Sequence, residues 1–269
     1  MLAVSVAYVR KDGRDFIGWQ ELAGEYREES AALNDGRVLQ VWRLTSRSDA
    51  RLFQLTNPDD YSLTYDGLVI AAERRRSGGW QAFGSYTLSR AYGLQPSSGT
   101  TAAGPQVATV GSPPASFAPG VTFGQDPNDL TNAYGRLPND RPHMVRVMTS
   151  VDVPRTAFAV AANLQHVSGK PWAMTALVNP NEAARPVLIE PRGTRRLSSQ
   201  TLLDVRVSRA FRFSSLGRID VCLDVLNILN DTAEESIRSA VHDATMVGQP
   251  DIFIDPRRAM LSARLNLGR

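Results

Sequence analysis

The chain has 269 residues, 42% hydrophobic and 21% charged, with 30 basic and 27 acidic side chains and a single cysteine. That balance excludes a disordered chain. Scattered charge gives no nucleic-acid footprint, and Cys222 alone excludes an internal disulfide framework. With a mean hydropathy of -0.23 and no apolar run near the roughly 20 residues that a membrane helix needs, a helical membrane bundle is excluded as well.

The chain opens on Met1-Leu2-Ala3-Val4-Ser5-Val6, which reads as a strand over 2–10 and not as a basic-then-apolar secretion signal. This predicts that the upstream part of an exported protein is missing. Segment 11–60 reads as a loop carrying a small hairpin, 37–45 with 51–56. Next come two arms, 61–76 and 80–91, joined at Ser77-Gly78-Gly79, with Trp80, Ala82, Tyr86 and Leu88 on one face. The charge-free stretch Ala91–Gln125 is broken by five prolines and reads as a loop within 92–139.

A second hairpin, 140–153 with 156–168, turns at Val153-Pro154-Arg155-Thr156. Val145, Val147, Val151 and Val153 match Phe158, Val160, Ala162 and Leu164, with Arg146, Asp152, Asn163 and Gln165 opposite. After a loop over 169–198, the clearest alternation begins. Leu203, Val205, Val207 and Phe211 face one way on 199–213, and Asp204, Arg206, Ser208 and Arg212 the other. Past a turn at Ser214-Ser215-Leu216-Gly217, strand 217–230 puts Ile219, Val221, Leu223 and Val225 on one face and Arg218, Asp220, Cys222 and Asp224 on the other. This pairing brings Arg206 near Asp224. Loop 231–256 then leads to a last strand, 257–267, with Arg258, Arg264 and Asn266 on its polar side.

Arms of this length exceed the roughly 5–6 residues of an average strand and match the roughly 9–11 of a tilted strand crossing a bilayer. Short turns alternate with long loops, the asymmetry of an outer-membrane barrel. We therefore expect an all-β, antiparallel transmembrane β-barrel segment of eight long strands, with short periplasmic turns and long extracellular loops. The charges Arg146, Asp152, Asp204, Arg206, Arg218, Asp220, Asp224 and Arg264 are then expected to line its lumen. A soluble β-sandwich or up-and-down barrel shares the alternation, but loops this long are uncommon in compact domains.

No catalytic constellation stands out. His143, His166 and His242 lie on different elements without metal-ligand spacing, and no Gly-x-Ser-x-Gly elbow, phosphate loop or His-Glu-x-x-His helix is present. His143 reads as structural and Cys222 as a small filler of the polar face. Asp126, Asn128 and Asp129, with Asn132, offer oxygen ligands to calcium, but lack the glycine and closing glutamate of an EF-hand loop. Asp-Pro-Asn-Asp is also ordinary turn chemistry. Neither a cofactor nor an enzymatic activity is expected.

Short motifs run along the chain: Tyr65-Asp66-Gly67-Leu68, Glu73-Arg74-Arg75-Arg76, Gly84-Ser85-Tyr86-Thr87-Leu88-Ser89-Arg90-Ala91, Asp126-Pro127-Asn128-Asp129-Leu130, Asn139-Asp140-Arg141-Pro142-His143, Val167-Ser168-Gly169-Lys170-Pro171, Leu223 to Asn230, and Pro256-Arg257-Arg258 before Leu265-Asn266-Leu267. In this order they resemble the C-terminal barrel of TonB-dependent receptors, in particular the Oar-like branch with a carboxypeptidase-regulatory-like domain. The resemblance implies residues 1–269 as one partial domain of a barrel of about 22 strands, in the bacterial outer membrane, taking up a scarce, large, unidentified ligand. Its partners are then membrane lipid, a plug and further strands outside this chain, and the TonB complex acting through that plug. The chain departs from the family in lacking the plug and TonB box, and in ending Leu267-Gly268-Arg269 where outer-membrane proteins often end in an aromatic residue. The alternative is a small complete outer-membrane barrel acting as an adhesin or surface-binding protein. A barrel enzyme ranks third.

Overall fold

The computed structural model describes residues 2–94, 124–181, 184–213 and 217–267. Its strands in chain order are β1 (Leu2–Gly13), β2 (Gly18–Glu21), β3 (Tyr26–Ala32), β4 (Val38–Leu44), β5 (Phe53–Thr56), β6 (Ser62–Ser77), β7 (Trp80–Leu94), β8 (Gly135–Arg136), β9 (His143–Asp152), β10 (Phe158–Val167), β11 (Pro171–Trp172), β12 (Thr175–Val178), β13 (Arg185–Leu188), β14 (Arg195–Arg196), β15 (Gln200–Phe213), β16 (Gly217–Leu226), β17 (Glu234–Ile237), β18 (Pro250–Phe253) and β19 (Arg258–Leu267).

Eight of these form one antiparallel wall in the order β1-β6-β7-β9-β10-β15-β16-β19, with β8 beside β7. Every wall neighbour is next in sequence among the long strands, as an up-and-down meander requires. The wall is open among the described residues. β1 pairs with β6 alone and β19 with β16 alone, leaving two free edges of unpaired backbone groups.

Directly opposed residues share a face, so the register sorts the wall side chain by side chain. One row runs Trp80–Val151–Val160–Val207–Leu223–Leu261 across six strands. Another runs Val4–Ala72–Gly84–Val147–Leu164–Leu203. Between them lies Gln81–Ser150–Ala161–Arg206–Asp224–Met260 on the opposite face. A one-residue slip anywhere would exchange the two faces.

Among the described residues nothing covers the apolar face. Leu2 is 67% exposed and Leu261 76%, with Val4, Val6, Tyr8, Ile70, Val147 and Leu223 also open. At roughly 1.5–3 kcal/mol per large side chain, leaving such a face in water forgoes tens of kcal/mol. That exceeds the roughly 5–15 kcal/mol stability of a whole domain. A contiguous patch of this extent marks a surface that something apolar covers.

The turns explain the meander. Gly78 and Gly79 join β6 to β7 with φ of 63° and 83°, the left-handed pair of a type I′ hairpin, where only glycine is unstrained. Arg155 takes φ 61° in the β9–β10 turn. The expected turn at 214–216 lies outside the described residues.

Strand ends differ from the sequence expectation by a few residues, and two differences have a structural cause. β16 stops at Leu226, not at 230, because Asn227 and Asn230 adopt φ of 49° and 51° and turn the chain out of the ladder. β7 continues to Leu94, since Gly93 and Leu94 keep pairing with Leu63 and Ser62. The expected hairpin of 37–45 with 51–56 is incorrect. Residues 38–44 pair with 26–32 across Asp35-Gly36, and 53–56 pair with 18–21. Gly36, at φ 85°, makes the tighter turn that short-range pattern reading passed over. Most of the expected 92–139 loop, residues 95–123, is outside the described residues.

Candidate functional site

Long connections gather at one end of the wall and short turns at the other. Those connections are folded: β2–β5, β3–β4, β11–β14, β12–β13 and β17–β18 are small two-stranded sheets. They share three apolar clusters. Leu39 and Val41 of β4 meet Ala176, Val178 and Val187. Tyr61, Leu94, Ala133, Ala173 and Leu188 form the second, and Trp172, Leu197, Ile237 and Ala240 the third. Each cluster draws on more than one connection, so the loops pack into a single layer. The buried core of this protein lies in that layer, not in the wall.

Polar groups fasten the layer. The Asp140 carboxylate, with its side chain fully buried, accepts the Ala91 amide at 2.7 Å and Arg136 Nη1 at 3.1 Å, and pairs with Arg196. Arg196 also donates to the Asp140 and Gly169 carbonyls at 2.7 and 3.1 Å. At the far end of β16, Asn227 Nδ2 donates to the carbonyls of Asp231 and Asp255 at 3.0 and 2.9 Å, and its Oδ1 accepts the Asp231 amide at 3.0 Å.

The oxygens considered for calcium have protein partners. Asp126 accepts from Asn128 Nδ2 at 2.7 Å and Asn181 Nδ2 at 2.9 Å, and Asp129 accepts Arg185 Nη1 at 2.8 Å. Asn128 clasps β4, with Oδ1 accepting the Trp42 amide and Nδ2 donating to the Trp42 carbonyl, both at 2.8 Å. Among the described residues no group of three or more His, Cys, Asp or Glu is arranged to hold a metal ion.

Depressed carboxyls, Glu21 and Glu235 among them, give the layer a pH dependence. Burial raises the Glu21 carboxyl, but Arg51 at 2.8 Å and the amides of Gly24, Ala23 and Leu52 outweigh it and hold the group below the usual carboxylate range. Burial likewise raises Glu235, and Lys170 and Gln200 hold it below that range. A carboxyl whose folded pKa is depressed contributes stability above its unfolded pKa of about 4.3. That contribution disappears as pH falls through the folded value. Asp129 runs the other way, because burial raises it despite Arg185. Because depressed carboxyls outnumber the raised one, the amides of Gly24 and Leu52 are expected to lose hydrogen-exchange protection between about pH 4.5 and 3. Wall amides such as Val147 keep theirs, and a parallel loss in both sets would refute the expectation.

The polar face of the wall holds all eight charges singled out from sequence. Arg206 lies against Asp224, Nε to Oδ1 at 2.5 Å and Nη2 to Oδ2 at 3.0 Å. Arg218 Nε reaches Asp220 Oδ1 at 2.5 Å, and Asn266 Nδ2 donates to Asp220 Oδ2 at 3.0 Å. Arg264 stands opposite Asp220. Asp204 Oδ1 accepts the Asn227 amide at 2.9 Å, tying wall to loop layer. Arg146 stands between Ser85 and Gln165, and Asp152 pairs with Arg76, a partner that strand-by-strand reading missed across a bulged register. A cavity of about 650 Å³ opens on this face beside Phe83, Met148, Asn163, Asp204, Arg206 and Asp224. It offers alternating charge without a nucleophile–base pair.

Cys222 lies on the polar face in the row of Asp152, Ser208 and Ser262. The histidines remain apart. His143 Nδ1 meets the Tyr86 hydroxyl at 2.8 Å, His166 Nδ1 meets Thr201 Oγ1 at 2.9 Å, and His242 is buried in the loop layer.

Neither a protein-family model nor a curated protein matches this sequence. Among solved structures, the chain is similar to the outer membrane transporter YddB from Escherichia coli, with 10% identity, a TM-score of 0.52, and coverage of 97% of this chain and 30% of that one. It also aligns with FpvA of P. aeruginosa, a structure solved with a bound pyoverdine–iron complex, at 13% identity and a TM-score of 0.46, covering 97% of this chain and 24% of that one. The chain thus spans under a third of either protein. The YddB likeness concerns fold: this wall is built like a stretch of an outer-membrane barrel.

Proposed function

We propose that residues 1–269 are part of the wall and outer surface of an outer-membrane receptor that takes up a large, scarce ligand in the manner of TonB-dependent transporters. The observation that carries this is the register-wide separation of an uncovered apolar face from a charged one, with short turns at one end and a packed loop layer at the other. The apolar face faces lipid, because rows such as Trp80–Leu261 are stable only in a medium without water. The polar face lines the interior, where Arg206–Asp224 and Arg218–Asp220 are paired and solvated. The order of short motifs supports placement in the Oar-like branch.

The free edges of β1 and β19 pair with further strands of a larger barrel. Energy coupling belongs to a plug that engages the TonB complex, and the loop layer presents the ligand-facing surface. The part of this polar face is passage and binding of the ligand.

Orientation in the membrane is testable in intact cells. With Cys222→Ser as background, a cysteine at Asp49 in the loop layer is expected to react with an impermeant maleimide from outside. One at Arg155 in a short turn reacts only after the outer membrane is opened. Recovery of the chain in the soluble fraction, or labelling of Arg155→Cys from outside, refutes the proposal.

A further inference from the structure

Two arginines at the short-turn end point out of the apolar face. Arg74 shares the outward face with Leu2 and Ala82, and its guanidinium lies 3.9 Å from the centre of the Trp80 ring. Arg209 stands opposite Phe158 and Val221, with its guanidinium 4.9 Å from the ring centres of both Phe158 and Phe211. These rings close the lower margin of the apolar face, where an outer-membrane barrel carries its aromatic girdle.

No carboxylate lies within ion-pairing distance of either arginine among the described residues. Arg74 Nη2 donates to the Ser77 carbonyl at 3.2 Å, and its Nε is buried with no hydrogen-bond partner. Several other wall arginines have acids. Arg206 has Asp224, Arg218 has Asp220, and outward Arg10, at the loop end, has Asp12 and Asp66. A guanidinium on a lipid-facing surface is costly unless it snorkels to the interface or meets a counter-charge. Held over a ring, such a guanidinium still has N–H groups to offer an oxyanion, in Arg74 those of Nη1.

We propose that Arg74 with Trp80 and Arg209 with Phe158 and Phe211 form a headgroup site for anionic phospholipid, the guanidinium edges binding lipid phosphate and the rings lying among the upper acyl carbons. Trp80 and Phe158 are two strands apart across β9, about 10 Å at the usual strand spacing, so the two arginines serve neighbouring lipids in one leaflet. The site rests on the membrane reading above. Its charge then sits in the leaflet next to the short turns.

The test uses the full chain refolded in a neutral maltoside detergent. Native mass spectrometry measures retention of phosphatidylglycerol against phosphatidylcholine. Several-fold preference for phosphatidylglycerol is expected, lost in Arg74→Gln/Arg209→Gln and kept in Arg155→Gln, a charge removal at the same end with no ring beneath it. Variants are compared only where their unheated gel mobility shows a folded species. Equal retention of both lipids, or equal loss of preference in Arg155→Gln, overturns the site while leaving the membrane reading intact. A chain that is monodisperse without detergent and retains neither lipid sinks both.

Discussion

Asp140→Ala is expected to destabilise the folded chain by about 3 kcal/mol, the lower end of the range for removing one partner of a buried ion pair. The carboxylate is fully buried and serves three donors: the Ala91 amide at the end of β7, Arg136 before β9, and Arg196 of β14. Alanine leaves the Ala91 amide without an acceptor and brings two guanidiniums together with no anion between them. Those arginines are 38% and 26% exposed at the side chain, so water recovers part of the loss, hence the lower end. Asp140→Asn keeps an acceptor for Ala91 but sets an amide against the arginines, and should fall between. Urea midpoints in detergent measure both. An Asp140→Ala midpoint within error of wild type refutes the assignment.

The second large effect is expected at Gly169, where β10 leaves the wall for the loop layer. A Cβ there would lie 1.8 Å from the Leu197 carbonyl oxygen, 2.4 Å from its carbon and 2.8 Å from the Ser198 oxygen. All three atoms are backbone, so no rotamer change relieves the contact. The strands that converge there are held by Leu197 N to Lys170 O at 3.0 Å and by His143 N to Ser168 Oγ at 3.1 Å. Gly169→Ala should therefore cost about 3 kcal/mol, at the top of the usual overpacking range. The damage should be local to the loop layer. Limited trypsin digestion should open new cuts at Arg195 and Arg196, while the wall strands keep the unheated mobility of the folded form. Unchanged digestion shows that the approach of Gly169 to Leu197 is not required.

Both positions lie in segments whose sequence shows little periodicity. Asn139-Asp140-Arg141-Pro142-His143 and Val167-Ser168-Gly169-Lys170-Pro171 are noticeable as strings, yet nothing in them names Arg196 or Leu197 as the partner. Those contacts join residues 56 apart for Asp140 and Arg196, a separation at which sequence pattern carries no distance information. The Arg206–Asp224 pair is the opposite case. One short turn and strict alternation set its register, and the structure places the two Cα atoms directly opposed. Legibility here follows turn length. Hairpins closed by a few residues transmit register along the chain, whereas the loop layer is assembled across connections.

The hairpin near the start shows how local pattern misleads. Residues 37–45 are expected to pair with the next extended stretch, 51–56. Yet Leu39 and Val41 are buried against Ala176, Val178 and Val187 from β12 and β13, and pairing with 26–32 through Gly36 is what delivers them there. The outward arginines illustrate a different limit. Arg74 and Arg209 interrupt an apolar face and look like errors of alternation until Trp80, Phe158 and Phe211 are seen beneath them.

By itself the sequence determined the eight long strands, their antiparallel order and the division into an apolar and a charged face, because strand side chains alternate with period two and adjacent strands joined by tight turns must share that alternation. Only the tertiary structure decided that the long connections condense into one layer with the buried core, and that Asp140, Asn227 and Gly169 fasten it to the wall. Those outcomes depend on contacts between distant segments, where packing and hydrogen-bond satisfaction are settled by shape in three dimensions and not by spacing along the chain.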